Sequence, residues 1–104
     1  MAQPTEHPDI RRWHDDPDIK AAVERLLLRV GRDVHALRER QGWSQEAEAK
    51  AAGMHPDTIQ ALERSHGDPR LSTLVRLFYV HGYELQIGLR PTRQPALASP
   101  VVTG

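Results

Sequence analysis

From Ile19 onward the apolar residues recur at helical spacing. Ile19, Val23, Leu26, Leu27, Val30, Val34 and Leu37 follow one another at the short steps that line one face of a helix. Asp18 precedes them as a candidate N-cap, and Gly42 follows as a C′ glycine. Gly31 leaves two readings open, one long helix or two joined near it. Ser44 with Glu46 marks a second start, because a side-chain oxygen and a negative charge both suit the free N–H groups of a helix. That helix is short: the small residues Ala47, Ala49, Ala51 and Ala52 allow close packing, and Gly53 stops it. His55, Pro56 and Asp57 form a third start, with Pro56 at the first helical position, where its missing N–H costs nothing. This helix buries Ile59 and Leu62 and runs to about Arg64. A polar loop, Ser65 to Pro69, leads to a last helix with Leu71, Leu74, Leu77 and Val80 facing inward and Gly82 closing it.

Beyond Gly82 the period changes to two. Tyr83, Leu85, Ile87 and Leu89 alternate with Glu84, Gln86, Gly88 and Arg90, which reads as one strand. A lone strand leaves backbone N–H and C=O groups unpaired, and no second strand is legible elsewhere. The economical partner is the same strand of a second molecule, in a two-fold antiparallel ribbon. The alternative is a tail that alternates by chance.

Composition narrows the function classes. With 104 residues and no cysteine, the chain supports one modest core and no disulfides, thiolate metal sites or cysteine catalysis. No apolar run approaches the roughly 20 residues of a membrane helix, and the N-terminus lacks a signal core, so a cytoplasmic protein with no membrane partner is expected. Fourteen bases balance fourteen acids, a sum unlike that of most nucleic-acid binders. The balance hides a gradient: residues 1–18 hold five acids against two bases, whereas residues 19–90 hold eleven bases against nine acids. Pro4, Pro8 and Pro17 interrupt the first segment and Pro91, Pro95 and Pro100 the last, so both ends read as poorly ordered. Trp13 either docks on the body or stays exposed.

Two short helices separated by Gly-Met-His are the arrangement of a helix-turn-helix. From Leu37 to Gly82 the chain resembles the Cro and phage-repressor type, the Xre-like family. The matching residues are Leu37-Arg38, Gly42-Trp43-Ser44-Gln45, Gly53, Thr58-Ile59, Leu62-Glu63-Arg64, Pro69, Leu71, Leu74, Leu77 and Gly82, and their joint spacing carries the resemblance. The resemblance implies a largely buried ion pair between Arg38 and Glu63. The alternative is two solvated charges. Trp43 is expected to cap the core, with stacking on a ligand as the other option. The family logic also places the helix from Pro56 in the major groove, with His55, Pro56, Asp57, Thr58, Gln60 and Ala61 at base edges. Ser44 and Gln45 at the start of the second helix, with Lys50, Arg64 and Arg70, are then candidate phosphate contacts. Some antitoxins and small repressors are similar in adding a dimerising strand after such a domain, here Tyr83, Leu85, Ile87 and Leu89.

Several residues depart from the family pattern. Pro56 has no donor, Ala61 offers only a methyl, and Asp57 repels phosphate unless it accepts from a cytosine amino group. Glu48 stands where the family has a core leucine, so either its helix is rotated or loosened, or its side chain reaches outward while the alanines close the gap. The six histidines are scattered without metal-ligand spacing, and no phosphate loop or nucleophile pattern is present, so neither an enzyme nor a cofactor is expected.

The expected protein is an all-α, four- to five-helix, lambda-repressor-like helix-turn-helix domain with one C-terminal β-strand pairing across a dimer. Its arm is 1–17, its helical domain 18–82 with the helix-turn-helix at 44–64, its strand 83–90 and its tail 91–104. As a homodimer it would bind an inverted-repeat operator in double-stranded DNA as a transcriptional repressor. The competing reading is a protein-interaction module, such as an antitoxin whose main partner is a toxin and whose DNA binding is weak.

Overall fold

The computed structural model describes residues 13–92. The arm up to residue 12 and the tail from residue 93, both expected to be poorly ordered, lie outside the described residues. A 3-10 turn, Trp13–Asp15, precedes four α-helices: α1 (Pro17–Gln41), α2 (Gln45–Ala52), α3 (Pro56–Glu63) and α4 (Leu71–Tyr79). Trp13 is half-buried, its ring stacked on His14 with centroids 3.6 Å apart.

The first helix starts earlier than Asp18. Asp16 is the N-cap, its Oδ1 accepting from the N–H groups of Asp18 and Ile19 at 2.9 and 3.1 Å, and Pro17 holds the first helical position. Asp16-Pro17 is the better start because proline brings a helical φ and no N–H to satisfy. The helix then runs unbroken through Gly31, which settles the two readings of that segment in favour of one helix. Gly31 serves packing instead. A Cβ there would lie 2.5 Å from the backbone oxygen of Leu62 and 3.0 Å from Ser65 Oγ, so only glycine lets α1 cross the end of α3 this closely. Gly42, at φ 69°, ends α1 with its N–H on the carbonyls of Arg38 and Glu39.

All four helices feed one core: Val34 from α1, Ala49 and Ala52 from α2, Ile59 and Leu62 from α3, Leu77 and Phe78 from α4. Val30, Leu37, Met54, Leu74, Val80 and Leu85 pack around it. Two expected core residues are outside. Leu26 is 67% exposed, and Ile19 also lies on the surface. The cause is length. At 1.5 Å per residue α1 is ~37 Å long, whereas the other helices have only eight or nine residues. Its first half therefore projects past the bundle, and the molecule measures 50 × 26 × 25 Å. Leu71, 56% exposed, is a similar correction: as the first residue of α4 it sits on the rim, and the inward face is Leu74, Leu77 and Phe78.

Residues 83–90 form neither a helix nor a sheet ladder within the chain, so the expected strand is not present in the single protomer. Among the described residues no strand offers an edge to pair with it. Leu85 packs on the core, while Tyr83, Ile87 and Leu89 are exposed. No helix among the described residues is long and apolar enough to cross a membrane.

Candidate nucleic-acid interface

Local chemistry holds the turn between α2 and α3 rigidly. Ser44 Oγ accepts from the Ala47 N–H at 3.0 Å and starts α2. Gly53, at φ 71°, turns the chain with its N–H on the carbonyls of Ala49 and Lys50, and the Met54 N–H reaches the Ala49 carbonyl at 2.9 Å. His55 then caps α3, its Nδ1 accepting from the Asp57 N–H at 3.1 Å. From α4, Arg76 Nη1 donates to the carbonyls of Ala52 and Gly53 at 3.3 and 3.0 Å, satisfying the free end of α2 and tying the turn to the bundle.

The result is that the starts of α2 and α3 open onto one cleft of about 530 Å³, lined by Arg38, Ser44, Gln45, Glu46, Pro56, Asp57 and Gln60. Five of the sequence candidates thus come together: Ser44, Gln45, Pro56, Asp57 and Gln60. His55 is exposed beside them, and Thr58 and Ala61 are half-buried on α3. Lys50 on α2, Arg64 just after α3 and Arg70 just before α4 are exposed and do not line the cleft. Arg38 and Glu46 line it without having been candidates for contact. Glu46 had been read only as a charge suited to the helix start, although its place beside Gln45 in the first turn puts it at the same mouth.

Behind the cleft, Arg38 grips Glu63 with two bonds, Nε to Oε2 at 2.6 Å and Nη2 to Oε1 at 2.9 Å, and its Nη1 donates to the Trp43 carbonyl at 2.8 Å. Gln45 Nε2 donates to Glu63 Oε1 at 3.3 Å, and His35 Nδ1 lies 3.1 Å from the same oxygen. One carboxylate therefore joins α1, α2 and α3. Burial pushes the Glu63 carboxyl up, but the hydrogen bonds from Arg38, His35 and Gln45 outweigh it and leave the group below its ordinary value. The same contact raises Arg38.

Glu48 follows neither of the two expected courses. It is fully buried in an undistorted α2, with His81 Nε2 2.8 and 3.0 Å from its two oxygens. The His81 side chain is only 2% exposed, and its ring lies 5.3 Å from that of Trp43, centroid to centroid. His81 was the buried partner that sequence reasoning missed, since nothing local connects residues 33 positions apart. Its Nδ1 is buried without a hydrogen-bond partner, the one side-chain polar atom so placed among the described residues. No group of three or more His, Cys, Asp or Glu there could hold a metal ion.

The cleft is not strongly basic. From His55 to Glu63 there is no Lys or Arg, Glu46 and Asp57 add negative charge, and Arg38 is committed to Glu63. The other polar groups that the cleft offers are neutral: the Gln45 and Gln60 side chains and the backbone N–H groups at the helix starts. No curated protein and no solved structure matches the chain. A helix-turn-helix family model matches residues 34–86, just over half of the chain, and spans the buried ion pair, both short helices and α4. Together with the rigid α2-turn-α3 unit, that match shows that the chain belongs to the Xre and lambda-repressor type of helix-turn-helix proteins, which are DNA-binding transcription regulators.

Proposed function

We propose that the protein is a repressor that binds an inverted-repeat operator as a homodimer, with α3 in the major groove. The observation that carries this reading is the shared cleft at the starts of α2 and α3, where Gln45, Asp57 and Gln60 stand together. Gln60 is suited to adenine, and Asp57 to a cytosine amino group. Ser44 and Gln45, with Lys50, Arg64 and Arg70, contact phosphate and set the register, while His55, Pro56, Thr58 and Ala61 shape the contact with base edges. Dimerisation is supported by the exposed, alternating Tyr83, Ile87 and Leu89 on a segment that pairs with no strand among the described residues. Two copies joined there bring two weak half-sites into one strong site, about 34 Å apart on one face of DNA.

The test is a footprint on the protein's own promoter, combined with titrations between 50 and 200 mM salt. Two protected half-sites one helical turn apart and an affinity that falls steeply with salt are expected. An unprotected promoter, or affinity indifferent to salt, overturns the reading. A second reading, a module or antitoxin whose main partner is a protein such as a toxin, draws support from α4. There Leu71, Val75 and Tyr79 recur every four residues and are all exposed.

A further inference from the structure

We infer that two copies of the chain pair residues 84–90 antiparallel in one register, with the two-fold axis at Ile87, so that Leu89 of each enters a cavity of the other; the inference rests on the homodimer reading above. The first half of the segment is held by its own chain. The Tyr83 N–H donates to the Phe78 carbonyl at 3.0 Å, Arg40 Nη2 donates to the Tyr83 hydroxyl at 3.2 Å, and Leu85 packs on the core. The second half is not held: Ile87 and Leu89 are both exposed, Leu89 almost completely. Beside Leu85 opens a cavity of about 360 Å³, walled by Leu37 and Arg40 of α1, Phe78 of α4 and Tyr83. Four residues of extended chain span ~13 Å, which carries Leu89 past the cavity of its own chain. A two-fold axis resolves this, because it gives each cavity the leucine of the other copy.

The register follows from the side chains. Directly opposed residues point to the same face, so a slip by one residue would turn the partner's apolar residues to solvent. The two-fold axis must therefore pass through a residue pair, at Gln86, Ile87 or Gly88. An axis at Gln86 sets Glu84 against Gly88 and Arg90 against Gly82. An axis at Gly88 sets Arg90 against Gln86 and brings Pro91, which has no N–H, against Leu85 in the body of the ladder. Of the three, only the axis at Ile87 sets Glu84 against the partner's Arg90, and symmetry makes that pair twice. Both residues are exposed, and neither side chain has an ion-pair or hydrogen-bond partner among the described residues. Opposite charges facing across a ladder attract, and like charges repel. This register also leaves Pro91 against Tyr83, at the end of the ladder. It sets the partner's Leu89 against Leu85, with Cβ atoms ~5 Å apart on the apolar face, and Leu85 borders the cavity.

The chain has no cysteine, so single cysteines report the register directly. Gln86→Cys, Ile87→Cys and Gly88→Cys are each treated with a mild oxidant in the full chain. Residues opposed across the axis have Cα atoms ~4.5–5.5 Å apart, within reach of a disulfide. Ile87→Cys is expected to form a cross-linked dimer, and the other two to remain largely uncross-linked. Preferred cross-linking at 86 or 88 overturns the register. A second arm reverses the charges: Glu84→Arg alone and Arg90→Glu alone should each weaken the dimer ~10-fold or more in sedimentation, because two attractive pairs become two repulsive ones. The double variant Glu84→Arg, Arg90→Glu should return to within ~3-fold of wild type. A double variant as weak as the singles overturns the pairing of these residues, and unchanged far-UV circular dichroism in all three shows that the helices are intact. A wild-type dimer in which none of the three cysteines cross-links overturns the inference while leaving the homodimer standing. A wild-type monomer overturns the homodimer reading itself, a separate and distinguishable failure.

Discussion

Glu63 accepts two bonds from Arg38, one from Gln45 and a contact from His35, so one carboxylate links three helices. Burial alone would raise its carboxyl, and the donors more than reverse that, so the folded value lies below the ordinary 4.5. The sign follows from linkage. A group whose folded pKa is depressed adds stability that is fully present above the ordinary carboxyl range and is lost as pH falls through the folded value. Glu63→Gln should therefore be clearly less stable than wild type at pH 7, and the gap should narrow below about pH 4, where wild type loses the same charge. Urea unfolding at the two pH values checks this; a gap of constant size sinks it. The neighbouring residues show how much of the site local sequence reveals. Ser44, Gln45, Pro56, Asp57 and Gln60 were legible because helix starts carry caps and prolines. Arg38 at the cleft wall was not, because its reach across from α1 is set by packing.

At the scale of elements, the Glu48–His81 pair replaces hydrophobic packing between α2 and the chain just after α4. Removing one partner leaves the other buried and unpaired, a loss of about 3–5 kcal/mol for a buried pair. Glu48→Leu alone should be destabilised on that scale, and so should His81→Phe alone. The double variant Glu48→Leu, His81→Phe should recover most of the loss, because an apolar pair of similar volume is often neutral or stabilising. Thermal or urea unfolding of the four proteins measures the coupling, and simply additive losses would contradict it. The helices themselves were legible from Gly42, Ser44, Gly53 and Pro56, since capping and φ preferences act within a few residues. Glu48 misled for the opposite reason: its partner is distant in sequence, and a carboxylate at a leucine position gives no local sign that a histidine will meet it.

For the whole molecule the exposed apolar regions among the described residues are the segment after Gly82, the projecting half of α1 and the Leu71, Val75 and Tyr79 face of α4. Leu89, 96% exposed in the protomer, lies on the segment proposed to pair across the dimer. Replacing it with Asp is expected to shift sedimentation from dimer to monomer at micromolar concentration while far-UV circular dichroism stays unchanged, since Leu89 touches no helix core. A variant that remains dimeric would exclude this segment from the interface. A wild-type monomer would exclude the dimer altogether.

The amino-acid sequence alone determined the order and limits of the short helices, the tight turn between α2 and α3, and through them the family. Caps, a proline at a helix start and glycines at left-handed ends are decisions made over four or five neighbouring residues. Tertiary structure decided the rest. It set how much of α1 is covered, because the shorter helices reach only its second half. It gave Gly31 its purpose, because the carbonyl it must clear belongs to α3. It also turned Glu48 from an anomaly into half of a buried pair, because only the fold brings residues 48 and 81 to 2.8 Å.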